Sequence, residues 1–126
     1  MFNTLPGRTC PRLKVKEDLV SVPPSFTPVG KSYRFDLGAL QIRYNFDSTD
    51  SATFVVESGG GLAPDGHTER VAIELHEIRP GVFLNSWREA TGATVSHIED
   101  FDSGKLYSNV TVEGRLHRLV GSIREA

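Results

Sequence analysis

IRPGVFLNSWREATGATVSHIEDF, residues 78–101, decides how this chain is read. VFLNSWRE (82–89) and TVSHIEDF (94–101) are short and rich in apolar residues, with Pro80-Gly81 before them and Thr91-Gly92 between them as turn chemistry. They read as two antiparallel strands. Residues two apart on an extended strand leave by the same face, which groups Phe83, Asn85, Trp87 and Glu89. The only Trp of the chain thus stands beside a carboxylate. An apolar ring next to an acid is how a pocket raises a carboxyl pKa for proton transfer. Where His97 points rests on the turn. A two-residue Thr91-Gly92 turn pairs Trp87 with Ser96 and sends His97 to the other face. A three-residue loop, Thr91 to Ala93, pairs Trp87 with His97 and Asn85 with Glu99, and is preferred because it turns Val95 inward.

The same texture extends on both sides. KSYRFDL (31–37) sets Tyr33, Phe35 and Leu37 against Arg34 and Asp36, and LQIRYNF (40–46) sets Leu40, Ile42, Tyr44 and Phe46 against Gln41, Arg43 and Asn45. Gly38-Ala39 between them suits a tight hairpin. ATFVVES (52–58) is a third strand, followed by Gly59-Gly60-Gly61 and a long loop through Pro64, Asp65 and Gly66. TERVAIELHEI (68–78) contains helix formers, but its period of two, with Val71, Ile73 and Leu75 on one side, decides for strand. KLYSNVTVE (105–113) and RLHRLVGSI (115–123) complete a set of about eight. Eight meandering antiparallel strands in this length close economically into an up-and-down barrel, which leaves no exposed edge and can just hold one small ligand. The expected class is therefore all-β, an eight-stranded antiparallel up-and-down barrel of the lipocalin or calycin kind over residues 30–126. A two-sheet sandwich is the alternative.

Residues 1–29 form a Pro-rich N-terminal arm, since five of the seven prolines fall there and forbid a long regular element. Its RLKVKEDLV (12–20) suits a short helix or an edge strand, and its apolar residues could pack on the barrel or on a second copy in a homodimer. The 126 residues suit one core, and the net charge of −2, with acids and bases interspersed, argues against a nucleic-acid partner. No apolar run is long enough for a membrane-spanning helix, and the first residues lack the core of a signal peptide, which makes the cytoplasm the default compartment. Cys10 has no internal partner for a disulfide. His67, His76, His97 and His117 are scattered without the spacing of a zinc site, so neither a metal nor another cofactor is expected. Gly59 to Gly61 lacks the Lys-Ser/Thr of a phosphate loop.

GKSYRFDLG (30–38), EIRPGVFLNSWREATG (77–92) and DFDSGK (100–105) together resemble the small calycin-like barrels of the MoaF-like family and, more distantly, bacterial phenolic acid decarboxylases. The resemblance covers about residues 30–113. The MoaF-like resemblance implies the barrel; the decarboxylase resemblance implies a barrel cavity in which a glutamate two residues after a tryptophan works with a tyrosine pair and an arginine. Glu89 after Trp87 matches the first. The tyrosine pair is met by Tyr33, with Phe35 lacking the second hydroxyl, and the arginine has only Arg70 nearby. Taken with the strand faces, the candidate catalytic residues are Glu89, Tyr33 and His97. The candidate substrate-binding residues are Phe35, Tyr44, Phe83, Asn85, Trp87 and Arg70. The expected function is cofactor-free lyase, isomerase or cyclase chemistry on a small apolar or aromatic molecule. The alternative is a barrel that carries a ligand without turning it over.

Overall fold

The computed structural model describes residues 26–126. It contains eight strands: β1 (Ser32–Leu37), β2 (Leu40–Phe46), β3 (Ser51–Gly59), β4 (Thr68–Arg79), β5 (Val82–Arg88), β6 (Thr94–Asp100), β7 (Lys105–Val112) and β8 (Arg115–Glu125). Each pairs antiparallel with the next in sequence, and β8 returns to β1 to close the barrel. The seal is short: Tyr33 to Asp36 of β1 meet Glu125 to Ser122 of β8. The expected barrel, rather than a sandwich, is what forms.

Alternation in sequence becomes inside and outside in space. Tyr33, Phe35 and Leu37 of β1, Ile42, Tyr44 and Phe46 of β2, and Val71 and Ile73 of β4 are all buried, while their neighbours face solvent to differing degrees. Residues 68–79 are strand, as their period requires, because only an extended chain puts Val71 and Ile73 on one interior face. Burying each such side chain contributes roughly 1.5–3 kcal/mol, more than the weak helix preference of Glu and Ala could offset.

The β5–β6 register differs from both sequence-based alternatives. Trp87 pairs with Val95, Asn85 with His97 and Phe83 with Glu99. The loop has three residues, but it is Ala90 to Gly92: the Glu89 amide donates to the Ala93 carbonyl at 2.8 Å, and Gly92, at φ 94°, donates to the Glu89 carbonyl at 2.9 Å. A loop of three keeps its last position left-handed, which only the glycine takes without strain, so Gly92 sets the centre of the turn. The odd loop length leaves Val95 and His97 facing inward as expected, with every partner shifted by two residues.

The two ends of the barrel differ. Where β1 begins, Phe26, Tyr33, Phe46, Phe83 and Phe101 form a plug of rings with centroids 4.9–6.4 Å apart. Residues 26–29, among them Phe26 and the buried Pro28, are the described part of the arm, and the Lys31 ammonium lies 4.7 Å above the Phe26 ring. The readings of the arm at residues 1–25 lie outside the described residues. At the other end the β3–β4 loop folds inward. Gly59 makes that fold feasible, because a Cβ there would stand 1.6 Å from the Ala63 carbonyl oxygen. Leu62 and Ala63 consequently pack against the core.

Candidate functional site

Under that inward fold lies a chamber of about 40 Å³, room for roughly three water-sized groups. Its wall is mostly apolar, with Phe54, Trp87 and Val95 among the lining residues, and is interrupted by three polar side chains, Glu89, His97 and Ser108. Outside it a mouth of about 400 Å³ is bounded by Pro64, His67, Thr91, Ala93 and Glu113. Leu62, Ala63, Glu89 and Val112 border both spaces, so Glu89 stands at the throat.

Glu89 is held there from two sides. Its Oε2 accepts a hydrogen bond from the Trp87 indole N–H at 3.1 Å. The turn that carries it is tied to β4, where Glu69 Oε2 accepts the Ala90 amide at 2.7 Å while Glu69 Oε1 lies 3.1 Å from His67 Nε2. Burial pushes the Glu89 carboxyl above its ordinary value; the Trp87 hydrogen bond works against this, and the negative charge of Glu69 adds to it.

Beneath the chamber is a polar cluster. His97 Nδ1 lies 3.1 Å from Glu99 Oε2, which also accepts a hydrogen bond from Asn85 Nδ2 at 3.1 Å. Asn85 Nδ2 donates in addition to the Tyr44 hydroxyl at 3.1 Å. Both Asn85 and Glu99 are fully buried, and burial, followed by the charge of Glu99, drives the Tyr44 hydroxyl far above its ordinary pKa, leaving it protonated. With Nδ1 committed to a carboxylate, Nε2 is the nitrogen that His97 can offer to the chamber it lines. Ser108, the β7 partner of His97, has a buried hydroxyl with no hydrogen-bond partner among the described residues. Such a group costs free energy unless something else satisfies it.

The structure brings together some of the sequence-based candidates and separates others. Glu89, Trp87 and His97 share the chamber, with the Trp87 and His97 rings 4.9 Å apart. Phe35 and Tyr44 stack at 4.7 Å and form the packing below, where Asn85 also lies. Tyr33 and Phe83 belong to the aromatic plug at the opposite end, so Tyr33 is not beside Glu89. Burial pushes the Tyr33 hydroxyl up to about 12, with Glu125 contributing. Arg70 points outward from β4 and lines neither chamber nor mouth. Among the described residues no group of three His, Cys, Asp or Glu is arranged to hold a metal ion.

A family model described as MoaF-like matches residues 29–124. The chain belongs to the MoaF-like family. A crystal structure from Burkholderia vietnamiensis, provisionally described as a beta-lactamase, is 26% identical to this MoaF-like chain, with a TM-score of 0.73, over 85% of this chain and 100% of that one. No curated protein matches the sequence.

Two members of this MoaF-like site escaped the sequence reading. Glu99 was read on one face with His97, opposite Asn85, but was given no role; the structure keeps it on the interior face and pairs it with Phe83. Ser108 sits in KLYSNVTV, where the strict alternation Leu106, Ser108, Val110 was the available signal: a polar residue on an otherwise apolar face. No helix among the described residues is long and apolar enough to cross a membrane.

Proposed function

We propose that this barrel binds a small, largely apolar or aromatic organic molecule and moves a proton on it, in cofactor-free lyase, isomerase or cyclase chemistry. The observation that carries the reading is the placement of Glu89 at the throat of an apolar chamber, its carboxyl pKa raised by burial, with His97 on the same chamber wall. A mostly apolar cavity with a carboxyl tuned upward and an imidazole oriented by a buried carboxylate supplies a general acid and a general base. In that scheme Glu89 is the proton-moving residue, Trp87 positions it, and Glu99 holds His97 in the tautomer that leaves Nε2 free to accept. Asn85 orients Glu99 by hydrogen bonding. Tyr33, which the resemblance to phenolic acid decarboxylases suggested, stands too far along the barrel to assist directly.

The reading favours proton transfer over the hydrolysis implied by the Burkholderia vietnamiensis protein's description, because Ser108 has no hydrogen bond to His97 and so no base against its hydroxyl. The test is a turnover assay of purified protein against a panel of small aromatic enones, lactones and hydroxy compounds, followed on any active substrate by Glu89→Gln. Loss of turnover with affinity kept within about tenfold is expected. An active substrate whose rate survives that substitution removes Glu89 from the role, and a ligand that binds without turnover points to carriage instead.

A further inference from the structure

Titratable side chains around the chamber and its mouth are carboxylates and imidazoles. The carboxylates are Glu89 and Glu113, the imidazoles are His67 and His97, and among the described residues no Lys or Arg borders either space. Glu69 adds a third carboxylate just behind the mouth, hydrogen-bonded to the turn that carries Glu89. The arginines one might expect to reach in do not: Arg70 and Arg88 point outward, and Arg34 is engaged with Glu57 at 2.9 Å.

Glu89 has accepting capacity to spare. Oε2 takes the Trp87 N–H, and among the described residues no hydrogen bond reaches Oε1. Two aromatic residues, Phe54 and Trp87, line the same chamber, and the faces of such rings attract a cation. Independently of the acids, the Ser108 hydroxyl, 98% buried in terms of its residue and without a partner among the described residues, lines the chamber and calls for a ligand group to satisfy it. An anionic substrate entering here would lose its hydration and meet carboxylates, with no Lys or Arg among the described residues to replace it.

We infer that the site selects a cationic ligand, a small primary or secondary amine on an apolar or aromatic frame, and discriminates against carboxylic acids. The ammonium stands at the throat against Glu89, and the apolar frame fills the space between chamber and mouth. This deepens the cavity reading and rests on it, and it sets the chain apart from the carboxylate substrates that its distant resemblance would suggest.

Trp87 is the only tryptophan and lines the chamber, so its fluorescence reports occupancy directly. The experiment titrates the full-length protein at about pH 8 with three probes of one shape: benzylamine, benzyl alcohol and benzoate. Benzylamine should bind at least tenfold more tightly than benzoate, with the alcohol between them. Glu89→Gln, which keeps an oxygen for the Trp87 N–H, should shrink the amine-to-benzoate preference to about threefold or less. Benzoate binding as well as benzylamine, with the alcohol also bound, overturns the charge inference and leaves the cavity reading standing. An unchanged preference in the Gln variant also overturns it, by removing Glu89 as its source. Failure of all three probes to perturb Trp87 overturns the cavity reading and this inference with it.

Discussion

Glu89 shows how one side chain's surroundings can be turned into a measurement. Its folded-state pKa lies above the unfolded value of about 4.3, chiefly because of burial. The proton therefore binds the folded chain more tightly. The stability that this group contributes is fully present below the unfolded pKa and is lost as pH rises through the folded one. Urea unfolding across that window should give a stability falling with pH, and Glu89→Gln should remove that component while leaving the rest of the profile unchanged. A variant profile that superimposes on the parent's would mean that Glu89 ionises as freely as in water. Glu99 is a different case. Fully buried and bonded to both His97 and Asn85, it orients the imidazole and does not touch the chamber.

Strands and turns reveal what was legible in the sequence. The β1–β2 hairpin, with Leu37 opposite Leu40 across Gly38-Ala39, could be read directly, because two clean alternations flank a two-residue turn. The β5–β6 turn could be read only in its parity. Thr91 and Gly92 both mark a turn, and which residue lies at its centre depended on where Gly92 takes its left-handed conformation. The triple glycine after β3 announced a loop but not its inward fold, since nothing local tells which way a glycine-rich segment bends. Gly59 is where that fold is most exposed to test. Gly59→Ala should cost about 2 kcal/mol or more, read as a lower urea midpoint at an unchanged slope, because its methyl collides with the Ala63 carbonyl. A variant as stable as the parent would require the loop to leave the mouth.

For the whole molecule, closure is the controlling event. The β1–β8 seal uses only Tyr33 to Asp36 and Ser122 to Glu125, so the barrel is complete within residues 32–126. Deleting residues 1–25, which retains Phe26 and Pro28 against the aromatic plug, should leave a cooperatively unfolding barrel by circular dichroism. Loss of the cooperative transition would assign the deleted residues a part in the core. Light scattering on the same truncated protein weighs the proposal that the arm joins two copies: a homodimer held through it should fall to the mass of one chain.

By itself the sequence determined which residues of a strand share a face, and with it the all-β class, the strand order and the placing of Trp87 and Glu89 on one side, because a period of two is a local property of an extended backbone. Only the tertiary structure decided height along the barrel. It placed Tyr33 in the plug, Glu89 at the throat and Glu99 beneath the chamber. Residues on one inner face meet at a common level only through inter-strand register and the inward fold of the β3–β4 loop. Those depend on contacts between segments far apart in the chain, and no short stretch encodes them.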